Sequence, residues 1–201
     1  FGNANEIMNR MWQQFEDDTL PDQQRLLACA CLACAPTEII DDRWTQHVKQ
    51  IAFILVGELA ARPAHFRSWT SMFQSKLRLL QPFLAEILQS HESSAPLRQA
   101  SATLLATSKT LPIQTLVDLA LRAEPEHLQP FLDVMSAEWP SACPLIEEAI
   151  SQDPSELLAD PQKILVAKRR ANAAIISVLL GEDVHSDILA GEVDPTLRSV
   201  F

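Results

Sequence analysis

One graded stretch that recurs along the chain limits the fold more than any other sequence feature. Residues 168–180 begin basic, then turn small, and end in an apolar run. Small residues let helix axes approach closely, and the branched residues that follow fill the space between them. Similar stretches surround Arg25 and Arg98, which with Arg169 stand 73 and 71 residues apart. The spacing predicts stacked helix pairs of about 40 residues each.

Apolar periodicity and proline positions divide the chain into helices. Helices are predicted at 5–15, 22–35, 44–60, 66–77, 79–89, 95–107, 112–121, 125–135, 145–151 and 160–180. Most of the 13 prolines stand where a helix would begin, as Pro161 does after Asp160. Pro82 is expected near a helix start, Pro144 is expected to open the helix 145–151, and Pro130 is expected to kink its helix.

Composition favours an all-α protein. The chain has only 4 glycines and no tyrosine, and an all-β protein of this size would need more turn glycines and strand aromatics. Together with the recurring stretch and the proline positions, this predicts one domain over 1–201, an α-solenoid of stacked antiparallel helix pairs, with a closed bundle as the alternative. Phe1 is not an initiator Met and 194–201 resembles an interrupted helix start, so the chain is expected to be a segment of a larger protein.

Net charge excludes one class of partner. The formal charge is -10, and an acidic chain repels phosphate backbones, so nucleic-acid binding is disfavoured. The sequence has no apolar run of the roughly 18–20 residues that span a bilayer, and direct membrane insertion is not expected.

Several stretches together resemble a known family. The octet 167–174 (AKRRANAA) and the ending 194–199 (DPTLRS) are similar to the HEAT-like helical region of bacterial eukaryotic-type serine/threonine kinases fused to a formylglycine-generating (sulfatase-modifying) domain. In that region a Trp-Pro-Leu-Leu-like segment lies between the two, where this chain has 184–189 (VHSDIL). The resemblance implies that the predicted α-solenoid over 1–201 consists of HEAT-like (ARM-like) antiparallel helix pairs. It also implies a non-catalytic spacer between two catalytic modules, and it brings no catalytic residues.

Candidate chemistry is sparse. The sequence has no P-loop, no nucleophile elbow and no dinucleotide-binding glycine motif. Cys31 and Cys34 stand at i and i+3, but no second ligand pair completes a zinc site, so the cysteines are predicted to be small, buried and reduced. His47 is predicted to be a surface helix residue. No metal, cofactor or catalytic residue is therefore predicted.

One basic cluster is the candidate interaction patch: Lys163, Lys168, Arg169 and Arg170. These cations are candidates to contact an acidic partner. The alternative is a solvated helix face balanced by acidic residues between 153 and 160.

The predicted function is a non-catalytic scaffold or spacer within a larger bacterial signalling protein. Its partner would be a protein or peptide, or the flanking domains of the same chain. Two alternatives stay open: a regulatory domain that senses a small ligand or metal and controls an attached kinase, and a helical enzyme with an unrecognised site. Reduced cysteines favour the cytoplasm, whereas the resemblance allows an extracytoplasmic segment of a membrane-anchored kinase.

Overall fold

A computed structural model describes residues 2–35, 42–108, 111–152 and 160–181. These residues form ten α-helices and two 3-10 helices, with no strand among them, which confirms the all-α prediction. The α-helices are α1 Gly2–Glu16, α2 Asp22–Ala33, α3 Asp42–Ala61, α4 Phe66–Phe73, α5 Leu77–Gln89, α6 Ala95–Thr107, α7 Ile113–Arg122, α8 Gln129–Ala137, α9 Trp139–Ser151 and α10 Asp160–Leu179. The 3-10 helices Pro63–His65 and Pro125–His127 precede α4 and α8.

Two compact units divide the chain, one within Phe1–Thr110 and one within Leu111–Phe201. The single HEAT-like domain expected over 1–201 stays a prediction. Several predicted features lie outside the described residues: the acidic residues 153–159, and the segments 184–189 and 194–199.

The first unit packs its helices in neighbouring pairs. α1 lies against α2, α5 lies against α6, and α3 packs on both α5 and α6. The predicted apolar stripe of α3 is buried throughout, at Trp44, Val48, Ile51, Leu55 and Leu59. The stripe explains the position of α3, because it gives α5 and α6 a continuous apolar surface to cover.

The second unit repeats that arrangement. α9 lies against α10, and α7 packs on both of them. Phe131, Met135, Ile146 and Ile176 are almost completely buried in this unit. Gly181, with a φ of 93°, follows the end of α10, where a glycine in the left-handed conformation commonly terminates a helix.

An internal repeat relates the two arrangements residue by residue. Pro63, His65, Pro82 and Glu86 recur as Pro125, His127, Pro144 and Glu148, always 62 residues later. Buried positions of the short helices recur at the same separation, Trp69 as Phe131 and Phe73 as Met135. We call α3–α6 the first copy and α7–α10 the second copy.

The helices that carry Arg25, Arg98 and Arg169, which we call the marker arginines, are separated by 73 and 71 residues instead of 62. These helices keep one position constant. Cys29 in α2, Ala102 in α6 and Ala173 in α10 each stand four residues after the marker, and each has 0% of its surface exposed. A small side chain there lets the neighbouring helix approach. The register is looser in α2, where Leu27 is 53% exposed while its counterparts Ala100 and Ala171 are buried.

Several predicted helix boundaries were wrong, and so was the predicted kink at Pro130. The helix expected at 125–135 begins at Gln129, after the 3-10 helix Pro125–His127. The helix expected at 66–77 ends at Phe73, and Leu77 begins α5, which places the exposed Pro82 inside that helix. α9 begins at Trp139 and not at 145, because Pro140 already supplies a first-turn proline, so Pro144 lies inside α9. Pro130 does not kink a helix, since it stands in the first turn of α8.

Arg25 fixes the turn between α1 and α2. Its side chain is almost fully buried and donates from Nε to the Phe15 carbonyl at 2.8 Å, while its guanidinium meets Asp18 at 2.8 Å. In the same turn, hydrogen bonds from the Thr19 hydroxyl and backbone N–H lower the pKa of Asp17. The marker arginine of α2 is therefore a buried structural residue.

Candidate functional site

The predicted basic patch lies in the middle of α10, where α7 covers part of it. The Lys168 ammonium pairs with Glu124 at 2.8 Å, and the Arg169 guanidinium pairs with Asp118. Their side chains are only 22% and 21% exposed. Lys163 is half-buried, makes no ion pair within the described residues, and stands apart from these pairs along the helix.

This placement corrects the view of the cluster as a solvated helix face. Because α10 begins at Asp160, residues 168–170 belong to its middle turns and face α7 instead of leading into the helix. Arg170, the fourth predicted patch residue, is also half-buried. Whether the cluster binds a partner stays a prediction, but two of its four charges are used within the fold.

Asn172 forms buried hydrogen bonds between α10 and the end of α7, beside these ion pairs. Its side-chain amide is fully buried and donates to the carbonyls of Leu121 at 3.1 Å and Ala123 at 2.8 Å, with a longer contact of 3.4 Å to Ala120. Ala120 and Leu121 lie in the last turn of α7 and Ala123 follows it, where carbonyls lose their usual donors from a further turn of helix. Asn172 therefore caps α7 from the neighbouring helix.

A small polar groove of about 180 Å³ lies between α7 and α9, with Arg169 at its side. Asp118, Glu148, Gln114 and Gln152 also line it. Asp118 is engaged with Arg169 and with Arg122 at 3.0 Å, whereas the Glu148 carboxylate has no partner within the described part of the chain. This volume is smaller than the roughly 300–1,000 Å³ of most ligand pockets.

A larger and more apolar groove lies between α3 and α5. Its volume is about 520 Å³, and its apolar surface comes from Phe53, Phe83 and Ile87. Phe53 is 58% exposed, although it belongs to one of the longest helices. Lys49 on α3 and Glu86 on α5 form an ion pair of 3.0 Å between the two walls. The remaining lining residues are polar and uncharged: Gln46, Gln50, Ser90 and Ser93.

One wall of the larger groove is repeated in the smaller groove. Phe83, Glu86, Ile87 and Ser90 of α5 correspond, 62 residues on, to residues of α9 that line the second groove. Those residues are Leu145, Glu148, Ala149 and Gln152. The same helical face has therefore been placed at a groove twice, with different side chains.

The histidines and cysteines add no further site. His47 is half-buried and not a simple surface residue: its ring lies against Trp12 and Phe15, and Nε2 is 3.1 Å from a Glu16 carboxylate oxygen. Cys29 is buried, which raises the pKa of its thiol, but Cys31 and Cys34 are exposed, contrary to the prediction. No cluster of three or more metal-ligating side chains occurs in the described ranges.

The fold and grooves define an all-helical protein with paired helices and open surface grooves. No family model, curated protein or solved structure matches the chain. Among the described helices, none combines the length and the apolar character that crossing a bilayer requires.

The groove between α3 and α5 was not predicted from the sequence, although a signal was present. Phe53 is a large apolar residue beside the polar positions Lys49 and Gln50, away from the buried stripe of α3. The recurrence of proline, histidine, proline and glutamate at 62 residues would have located the matching wall on α5.

Proposed function

We propose that the chain is a non-catalytic scaffold of HEAT-like helix pairs that binds a protein segment in the groove between α3 and α5. It would act within a larger bacterial signalling protein, with a serine/threonine kinase as the suspected parent. The observation that carries the proposal is the half-exposed Phe53 in a groove of about 520 Å³. Apolar side chains exposed in a concave surface are typical of interaction sites.

The repeated order of elements supports the solenoid part of the proposal. Each copy has a helix, a 3-10 turn with a short helix, and a closing helix pair. Stacked repeats of this kind bury apolar faces against their neighbours and leave long grooved surfaces for partners. Small-angle scattering tests it: an elongated particle is expected, and a compact spherical profile would contradict the solenoid.

Peptide display on the intact chain tests the docking function. Peptides that bind the native chain should bind at least tenfold more weakly to Phe53→Ala, because the groove loses its exposed apolar anchor. Leu79→Ala is the matched control, since Leu79 is 47% exposed on α5 and does not line the groove. Selected peptides that bind both variants equally would show that the groove is not the docking site.

The second candidate function, a domain that senses a small ligand, is favoured by the polar groove between α7 and α9. Arg169, which also pairs with Asp118, and Glu148, which has no ion pair within the described residues, offer opposite charges to one small polar molecule. A thermal-shift screen with metals and polar metabolites separates the two candidates. A stabilisation of several degrees that Glu148→Gln abolishes would favour the sensor, and unchanged melting would favour the scaffold.

A further inference from the structure

The dimensions of the groove between α3 and α5 match one kind of ligand. Gln46, Lys49, Gln50 and Phe53 follow one another at i, i+3, i+4 and i+7 on α3, and the facing residues of α5 show the same spacing. Seven residues of helix rise about 10 Å, so the two walls run side by side for two turns. A partner helix with anchors at i, i+4 and i+7 covers the same distance.

The walls favour a helical ligand over an extended one. Both are α-helices whose backbone N–H and C=O groups bond within the helix, so they offer no edge to which a strand could pair. An extended peptide would also press unpaired backbone groups onto Phe53, Phe83 and Ile87, which is costly. A helix satisfies its backbone internally and presents only side chains to the apolar surface.

The charges give the ligand an orientation. Lys49 and Glu86 stand on opposite walls, and their side chains are 71% and 58% exposed. An exposed pair of this kind contributes little to stability and opens easily. A ligand with a carboxylate on the α3 side and a cation on the α5 side would replace one exposed pair with two intermolecular pairs, which are less exposed.

We propose that the groove binds an amphipathic helix of a partner protein, with its apolar stripe on Phe53, Phe83 and Ile87, its acidic flank against Lys49 and its basic flank against Glu86. This inference rests on the proposed docking function and adds the conformation and charge pattern of the partner. In the described part of the second copy the corresponding groove is less apolar, because Ala149 stands where Ile87 does and Asp118 and Arg169 line it.

A displayed library of peptides about 16 residues long, long enough to form a helix on binding, tests the proposal on the intact chain. The library is selected against the native chain and against the double variant Lys49→Glu/Glu86→Lys. The native chain should select apolar residues at i, i+4 and i+7 with opposite charges on the two flanks. The double variant should select the reversed charges and discriminate against the first set by tenfold or more.

The controls keep this result distinct from the docking function itself. Bound peptides should gain the circular dichroism signal of a helix, and Leu79→Ala should bind them as the native chain does. Peptides that depend on Phe53 but are extended, or keep one charge pattern on both chains, would overturn the helix inference and leave the docking function intact. The absence of any Phe53-dependent peptide would overturn both.

A second copy of the chain is the remaining occupant to be tested. Sedimentation of the native protein and of Phe53→Ala measures it directly. The partner-helix proposal expects the same monomer mass for both. Self-association of the native chain that Phe53→Ala abolishes would assign the groove to a homodimer and overturn the proposal.

Discussion

The groove between α3 and α5 and the groove between α7 and α9 have one wall that is repeated between them and one wall that is not. The shared wall is the repeated face of α5 and α9, with Glu86 and Glu148 at its centre. The other wall differs because α3 has 20 residues and α7 has only 10. At the 62-residue spacing, Lys49 corresponds to Leu111, which precedes α7, and Phe53 corresponds to the polar Thr115.

The side-chain contacts that α6 and α10 make with their neighbouring helices also differ, and those of α10 are more polar. Three residues after the marker arginine, Ser101 of α6 donates one hydrogen bond to the Leu84 carbonyl at 2.6 Å. Asn172 holds the same position in α10 and bonds to the end of α7. Asp118 stands 62 residues after the buried Val56. At these positions the first copy therefore has one hydroxyl hydrogen bond and an apolar residue, where the second copy has an amide and a carboxylate.

The largest expected effect tests whether α6 and α10 are equivalent. Ala102→Pro and Ala173→Pro each place proline inside a buried helix, remove a backbone hydrogen bond, and should cost about 3 kcal/mol or more. Urea denaturation measures both. A cooperative transition at the native midpoint for either variant would show that its helix is misassigned.

The next effect compares the contacts of Asn172 and Ser101. Asn172→Ala should cost about 2 kcal/mol, because the carbonyls of Leu121 and Ala123 at the end of α7 lose their amide donor. Ser101→Ala removes one hydroxyl donor and should cost about 1 kcal/mol. Equal losses in the free energy of unfolding for the two variants, measured by chemical denaturation, would show that the contacts of Asn172 and Ser101 do not differ in strength.

A smaller effect concerns the ion pairs of the second copy. Asp118→Asn removes the partner of Arg169 and Arg122 and should cost roughly 1 kcal/mol at low ionic strength, and less in high salt. Glu148→Gln is the control, since its carboxylate has no partner within the described residues. A cost for Asp118→Asn that does not change with salt would argue against an electrostatic role.

The smallest effect extends the comparison to α2. Cys29 holds the small-residue position of Ala102 and Ala173, and burial raises the pKa of its thiol. The folded state therefore keeps a thiol proton that the unfolded chain loses above about pH 8.5. Loss of that proton favours the unfolded chain, so the free energy of unfolding falls as pH rises past that value. A thiol reagent should modify Cys31 and Cys34 quickly and Cys29 only after unfolding. Fast modification of Cys29 in the native state would contradict its burial.

The helices could be predicted from the sequence because their apolar periodicity is local. The stripe of α3 and the small residues after each marker arginine are visible without any knowledge of packing. Boundaries failed where two prolines competed for one helix start, as Pro140 and Pro144 do in α9. A local pattern cannot decide which of the two prolines lies in the first turn.

The candidate sites were less predictable because they depend on contacts between distant residues. Lys168 and Arg169 looked like a free basic patch until α7 placed Glu124 and Asp118 beside them, 44 and 51 residues away along the chain. The apolar groove likewise requires knowing that Phe53 is left uncovered while Ile51 and Leu55 are buried. Sequence periodicity shows on which face of its helix a residue lies, but not which residues of other helices it contacts.

The two internal prolines also bear on the history of the chain. Proline in the interior of a helix is unfavourable by about 3 kcal/mol, so random substitution seldom places it there. Pro82 and Pro144 nevertheless stand at the same position of α5 and α9, 62 residues apart. Duplication of one ancestral segment explains this more simply than two separate origins. The grooves would then be descendants of a single surface, one extended into an apolar channel and the other filled with charge.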